Sequence, residues 1–248
     1  MEPNKPRSRA LEAFTAADGR AGILVDFDGS LSPIVARPEL AQIREGARDA
    51  LARLVGRYAV VAVVSGRTRA ELEGLIGVPG VRLAALYGIE DETGLPDGLE
   101  DRVRAIAAAF PGVRIEPKGG AIAVHFRGAS DPAAAEAELS SALAPIAEEA
   151  GMELIEGKKV LELVPAGRPL KGGAVEAIVA DTELDAVLYA GDDVADLRAF
   201  AVLDRLAAEG KATVKVAVHG PETPAALASS ADLVVDGPAG LVGLLRRL

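Results

Sequence analysis

Gly22-Ile23-Leu24-Val25-Asp26-Phe27-Asp28-Gly29-Ser30-Leu31 is the stretch on which the reading of the fold turns. Ile23 to Val25 is a short, branched, apolar run, as a buried strand should be. It stops at two carboxylates two residues apart, followed by a glycine. On a strand, residues i and i+2 point the same way, so Asp26 and Asp28 leave its end on one side. Gly29 lets the backbone bend away without a Cβ clash. Two acids crowded at the end of a buried strand repel each other, at a cost, unless a cation or a proton intervenes. A calcium loop of EF-hand type is the counter-reading. That motif wants glycine sixth with helices on both sides, whereas here glycine stands fourth and a strand precedes.

Outward from this stretch, apolar strands alternate with helical patterns. Residues before Gly19 read as a frayed tail and one amphipathic helix carrying Leu11 and Phe14. Glu45 to Arg57 has helical spacing, and Ala59 to Val64 is a continuous apolar strand stopped by Ser65-Gly66-Arg67. Thr68 caps a helix through Ile76, with Glu71 completing a capping box. Val81 to Leu86 reads as a third strand, ending at Tyr87-Gly88-Ile89-Glu90. This rhythm implies a Rossmann-like, doubly wound α/β core around a parallel sheet.

Near Thr93 the rhythm changes. A helix (99–110) precedes two adjacent strands, 113–116 and 121–127, joined through Gly119-Gly120 as an antiparallel hairpin. A second helix, 132–150 with Asp131 as its cap, precedes another strand pair, 153–156 and 160–164, turned at Gly157. Residues 93–167 are therefore expected to form a small α+β domain inserted into a core of residues 1–92 and 168–248. Pro165, Gly167 and Pro169 mark the return. Lys171-Gly172-Gly173 then opens a helix to Val179, and 186–190 is a strand ending in Gly191-Asp192-Asp193. A helix (193–206), a strand (212–218), a short strand (233–235) and a C-terminal helix complete the core.

Composition narrows the function. At 248 residues the chain can bury a full core. Half its residues are hydrophobic but only 3% are aromatic, which argues against a base-stacking or carbohydrate platform. A net charge of −10 argues against nucleic acid and anionic membranes as partners. The same field would repel a phosphate, so local cations must offset it. Without cysteine there is no disulfide, thiolate nucleophile or zinc-thiolate site. The polar stretch Met1 to Arg9 has no apolar h-region, so no signal peptide is expected and a cytoplasmic location is. The longest apolar run is too short to span a bilayer.

In an open parallel sheet, ligands bind beyond the carboxyl ends of the strands, near the switch in strand order. Asp26/Asp28, Ser65, Lys171 and Asp192/Asp193 all fall at or near such ends. In this order they resemble the haloacid-dehalogenase-like phosphatase superfamily, whose signature is Asp-x-Asp-Gly-Thr/Ser, a later Ser/Thr, a Lys and Gly-Asp-Asp-x-x-x-Asp. Here these are Asp26 to Ser30, Ser65, Lys171 and Gly191 to Asp196. A narrower set resembles the trehalose-6-phosphate phosphatases: Asp28 to Ile34, Val64 to Arg67, the Gly-x-Glu after the third strand, Glu116 and Lys118, His125 and Arg127, Gly157 to Glu162, and Lys171 to Ala174. The insertion also lies where that family keeps its mobile cap. Tyr87 departs from the family's usual histidine, and Ser30 and Ala195 from its commoner threonine.

The resemblance implies roles. Asp26 would be the nucleophile, splitting hydrolysis through an aspartyl-phosphate. Asp28 would protonate the departing sugar oxygen and then activate water. Mg2+ would be held by Asp26, Asp192 and the Asp28 carbonyl. Lys171 and Ser65 would neutralise and orient phosphoryl oxygens, with Asp193 and Asp196 orienting Lys171 or metal-bound water. Gly66, Arg67, Glu116, Lys118, His125, Arg127 and Glu162 would touch the substrate. The expected partner is a small sugar phosphate, and a monomer is favoured. Plainer readings stand beside these: Asp193 as a helix cap, Ser65-Gly66 as a turn, and Glu116, Lys118, His125 and Arg127 as a solvated hairpin face. A sucrose-phosphate or mannosyl-phosphoglycerate phosphatase, or a non-catalytic sugar-phosphate sensor, is the rival.

Overall fold

A computed structural model describes residues 5–17, 20–88, 94–167 and 170–248. In chain order, α1 (Lys5–Thr15), β1 (Ala21–Val25), α2 (Ala47–Val55), β2 (Val60–Val64), α3 (Arg69–Ile76) and β3 (Arg82–Ala84) come first. Then follow α4 (Leu99–Ala107), β4 (Arg114–Lys118), β5 (Ala121–His125), α5 (Pro132–Glu149), β6 (Met152–Gly157) and β7 (Val160–Pro165). The chain closes with α6 (Lys171–Thr182), β8 (Ala186–Gly191), α7 (Val194–Ala208), β9 (Ala212–His219), α8 (Ala225–Ser230), β10 (Leu233–Asp236) and α9 (Gly237–Leu245). These elements form two compact units, Met1–Gly88 with Pro169–Leu248, and Ile89–Arg168.

The first unit is built on a parallel sheet in the order β10-β9-β8-β1-β2-β3. From β1 the chain runs outward to β2 and β3, then returns to β8 and runs the other way. The switch in strand order therefore falls between β1 and β8, the position at which such sheets open a crevice. Every residue of β1, β2 and β8 is buried, because helices cover both faces. Strand alternation divides these runs between two cores. Ile23, Val25, Val61, Val63 and Leu188 pack with α1, α2, α3 and α9. Leu24, Val60, Ala62, Val64, Val187 and Tyr189 pack with α6, α7 and α8. Burial of each large aliphatic side chain is worth about 1.5–3 kcal/mol, and a one-residue slip would exchange the two faces of a strand.

The second unit is an antiparallel sheet in the order β4-β5-β7-β6. Its core combines Ile122, Val124, Leu161 and Leu163 with Leu99 and Val103 of α4 and Leu139 and Leu143 of α5. Alternation sends Glu116, Lys118, Ala123, His125 and Glu162 to the opposite face. Asp131 caps α5 by accepting bonds from the N–H groups of Ala133 and Ala134 at 3.1 and 3.0 Å.

Several expected bounds shift. The third strand, expected to reach Leu86, stops at Ala84, and Ala85–Gly88 forms a 3-10 turn. Leu86 and Tyr87 take positive φ angles of 46° and 61° there. The turn of the second strand pair is Lys158-Lys159 rather than Gly157, which pairs with Val160. Lys159 itself adopts the left-handed conformation, at φ 59°. Helix α8 went unread because Ala-Ala-Leu-Ala-Ser-Ser is too short to show a period. Ile89 and Glu90 of the Gly-x-Glu motif, and the boundary markers Thr93 and Pro169, lie outside the described residues.

Candidate active site

Asp26 leaves the carboxyl end of β1 buried, its N–H bonded to the Ala190 carbonyl of β8 at 2.8 Å. From the adjoining strand, Gly191 leads into Asp192, also buried. Two glycines permit this crowding. A Cβ on Gly29, whose φ is 88°, would collide with the Asp192 carboxylate, and one on Gly191 with that of Asp196. Helix α6 places Lys171 in its first turn and α7 places Asp196 in its own, both on the sheet face that Tyr189 shares.

Lys171 is the hub. Its Nζ lies 2.8 Å from Asp26 Oδ1 and 2.7 Å from Asp196 Oδ1, with all three side chains buried. Burial alone would lower the Lys171 pKa, but Asp196 and Asp26 outweigh it and hold the ammonium well above its usual range. The Asp26 carboxyl is pushed up to about 7, chiefly by burial. Lys171 pulls it down, while Asp196 and Asp28 add to the rise.

Asp196 accepts from four donors: Lys171, the Tyr189 hydroxyl at 2.6 Å, and the N–H groups of Asp192 and Asp193 at 2.9 and 2.8 Å. Asp193 caps α7, and Asp196 returns the bond, so the two form a capping box. Tyr189 is the residue that sequence reasoning missed. Burial first, then Asp196 and Asp26, push its hydroxyl well above its usual pKa, which makes it a donor. Its signal was a single polar aromatic in an otherwise aliphatic strand, two residues before Gly191-Asp192-Asp193.

Ser65 follows β2, buried, with its Oγ accepting from the Arg67 N–H at 3.2 Å. The residues after β3 tie this loop down: the Tyr87 N–H donates to the Ser65 carbonyl and the Leu86 N–H to the Arg67 carbonyl, each at 3.0 Å. Two consecutive non-glycine residues in the left-handed region cost about 1–2 kcal/mol each, strain of the kind stored at functional sites. Arg67 directs its guanidinium onto Asp28, at 2.7 and 2.8 Å.

On the second unit, Lys118 Nζ lies 3.6 Å from both Glu116 and Glu162, and His125 Nε2 lies 2.7 Å from Glu116. Glu116, Ala123 and Glu162 are aligned across three strands, and the small Ala123 separates the two carboxylates. Arg127 donates to the Lys158 carbonyl at 3.2 Å. Sheet register thus gathers Glu116, Lys118, His125 and Glu162 on one face.

The carboxylate oxygens of Asp26, Asp192 and Asp196 lie within 4.8 Å of one another. Because Asp196 already accepts four hydrogen bonds, Asp26 and Asp192 are the side chains suited to a cation. An all-oxygen donor set selects a hard ion of the Mg2+ kind.

A doubly wound sheet whose switch point gathers Asp26, Asp28, Ser65, Lys171 and Asp192 has the architecture of the haloacid-dehalogenase-like phosphatases, and solved hydrolases of that superfamily share the fold. Within that class the chain belongs to the trehalose-phosphatase family, whose model matches residues 24–94 and 97–235. The C-terminal domain of the C. albicans trehalose-6-phosphate phosphatase superposes with a TM-score of 0.79, at 23% identity over 100% of this chain and 99% of that one. A trehalose-phosphate phosphatase of Mycobacterium tuberculosis is 31% identical over 220 residues, 78% of this chain and 55% of that protein. An uncharacterised glycosyl hydrolase of the same species is 34% identical over 203 residues, 73% of this chain and 15% of that protein. The chain therefore spans about half of one relative and a small part of the other.

Proposed function

We propose that the chain is a Mg2+-dependent phosphatase that hydrolyses trehalose 6-phosphate through an aspartyl-phosphate on Asp26. The observation that carries this reading is the buried Asp26–Lys171–Asp196 chain at the strand-order switch, with Asp192 beside it and a second acid, Asp28, two residues on. Asp26 Oδ attacks phosphorus as the bond to the sugar oxygen breaks, and Asp28 gives that oxygen its proton. Asp28, now a carboxylate, takes a proton from the water that attacks the aspartyl-phosphate, which frees Asp26 and inorganic phosphate. Lys171 and the Ser65 hydroxyl bind the phosphoryl oxygens. A Mg2+ held by Asp26, Asp192 and the Asp28 carbonyl would lower the repulsion between the anionic nucleophile and the anionic substrate. Asp193 and Asp196 hold the α7 terminus and Lys171 in place. On the insertion, Glu116, Lys118, His125 and Glu162 supply alternating donors and acceptors suited to sugar hydroxyls.

Phosphate-monoester hydrolysis is among the slowest uncatalysed reactions, so these groups must together lower the barrier by about 20 kcal/mol or more. The test is phosphate release from a panel holding trehalose 6-phosphate, sucrose 6-phosphate, mannosyl-phosphoglycerate and nitrophenyl phosphate, with acid-quenched protein assayed for bound phosphate. Trehalose 6-phosphate is expected to lead. A different leading sugar reassigns the substrate, and no release from any member removes the phosphatase reading.

A further inference from the structure

We infer that Arg67 is a positioning residue for Asp28, and that the chain Glu71–Arg67–Asp28 sets the direction in which the leaving-group acid points. The inference rests on the phosphatase reading above and adds to it a device for aiming the proton.

The contact is bidentate. Arg67 Nε donates to Asp28 Oδ2 at 2.7 Å and Nη2 to Oδ1 at 2.8 Å. A planar fork on both carboxylate oxygens fixes the plane of the acid as well as its distance, which a point charge cannot do. The two partners differ in exposure: the Arg67 side chain is 6% exposed and that of Asp28 37%. The arginine is thus the fixed member and Asp28 the working end: the proton that Asp28 gives up sits on a lone pair turned away from Arg67, while the remaining lone pairs still accept the fork.

Further contacts hold the arginine. Its guanidinium lies 5.4 Å over the ring of Phe27, itself wholly buried between the two aspartates in sequence. Nη2 also donates to the Pro38 carbonyl at 3.1 Å, and Nη1 lies 3.3 Å from Glu71 Oε1. The Arg67 carbonyl accepts from the N–H of the left-handed Leu86. Glu71 is fixed in turn, because its other oxygen accepts from the Thr68 N–H at 2.8 Å and the Thr68 hydroxyl at 2.6 Å. The capping box of α3 therefore does more than end a helix. Its glutamate extends the cap through Arg67 to the acid at the end of β1.

The geometry also separates this role from phosphate binding. The guanidinium edge that would fork onto a phosphoryl group is taken up by Asp28, whereas Lys171 directs its ammonium at Asp26. An arginine acting through Asp28 matters where the acid matters. A sugar alkoxide must be protonated as it leaves, while nitrophenolate leaves unaided.

Arg67→Lys keeps the charge but cannot fork, and Glu71→Gln keeps the shape but weakens the hold on Arg67. Single-turnover release of trehalose from trehalose 6-phosphate, and the nitrophenolate burst from nitrophenyl phosphate, are measured for each with Mg2+ present. Arg67→Lys should slow trehalose release about 10- to 100-fold more than it slows the burst. The KM values should move by no more than about threefold. Glu71→Gln should show the same selectivity at smaller size. In an Asp28→Asn background, Arg67→Lys should cost nothing further. Equal losses on both substrates with a raised KM would make Arg67 a phosphate ligand. Proportional losses with a lowered Tm would make it a support of the fold. A loss that persists undiminished in the Asp28→Asn background would show that it acts elsewhere. If Asp28→Asn itself fails to separate the two substrates, the acid assignment falls and takes this inference with it. Wild-type protein inactive on both substrates would instead overturn the phosphatase reading.

Discussion

Two lysines, each set between two carboxylates, are held at different distances in the two units. Lys171 is buried and touches Asp26 and Asp196 at 2.8 and 2.7 Å, hydrogen-bond distances on both sides. Lys118 stands 3.6 Å from both Glu116 and Glu162, too far for a direct bond to either. Charges in low dielectric hold position only when their partners are close and fully bonded, and Lys171 meets that condition through Asp196 and its four donors. The longer spacing accords with the role proposed for these side chains toward sugar hydroxyls. Chemistry needs groups preorganised to fractions of an ångström, whereas recognition of a polyol needs donors and acceptors able to re-pair.

The largest effects should fall on the rigid side. Asp26→Asn removes the proposed nucleophile, so turnover should drop by at least about 10^4-fold and no phosphoprotein should be trapped on acid quench. Phosphate found on Asp28 instead would reverse the roles of the two acids.

Metal removal comes next. Chelation followed by desalting should abolish turnover, and added Mg2+ should restore it; full activity after desalting would remove the cation from the mechanism. Because burial holds the metal-free Asp26 carboxyl near 7, a proton competes with the cation there. Mg2+ affinity measured by calorimetry should therefore weaken as pH falls through about 7. The sign for stability without metal is the opposite. A carboxyl whose folded pKa is raised contributes stability that is complete below its ordinary 3.8 and is lost as pH rises through about 7. Asp26→Asn should flatten that limb of a plot of Tm against pH, and an unchanged limb would show that other groups produce it.

The comparison between the lysines is sharpened by removing each. Lys171→Met leaves two buried carboxylates without their cation, a change that typically costs about 3–5 kcal/mol. Lys118→Met should cost less stability than Lys171→Met, because its ion pairs to Glu116 and Glu162 are longer. Its loss should show instead in the KM for trehalose 6-phosphate. Similar drops in denaturant midpoint for the two variants would erase the distinction between the units.

The smallest effect is the most selective. Glu162→Ala removes one charged partner from the face of the second sheet, and should weaken transition-state binding of trehalose 6-phosphate by about 1.5–3 kcal/mol. The value of kcat/KM for nitrophenyl phosphate should change far less. Equal losses on both would assign Glu162 to the support of its sheet.

Local pattern and tertiary contact contributed differently to what is known of this chain. Strand parity and the apolar runs of β1, β2 and β8 were legible because alternation and burial act between near neighbours. The Thr68–Glu71 box and the Asp131 cap were legible for the same reason, each closing within three residues. The insertion was visible as a change from βαβ rhythm to hairpins. The turn at Lys158-Lys159 was not, because Gly157 carries the stronger local turn signal, and pairing across β6 and β7 moved the turn past it. Sequence by itself determined that Asp26, Asp28, Ser65 and Asp192 should stand at or near strand ends and Lys171 at a helix start. Which of them touch was decided only by the packing of α6 and α7 on one face of the sheet. That packing brings Lys171 to Asp196 across 25 residues and leaves Asp196 saturated by hydrogen bonds. It also made Tyr189 part of the site, since a strand residue's partner depends on which helix covers its face. Arg67 and Asp28 lie 39 residues apart and join only because β1 and β2 are adjacent. No local pattern encodes that pairing: an arginine fork and a carboxylate find each other through sheet order, a property of the whole chain.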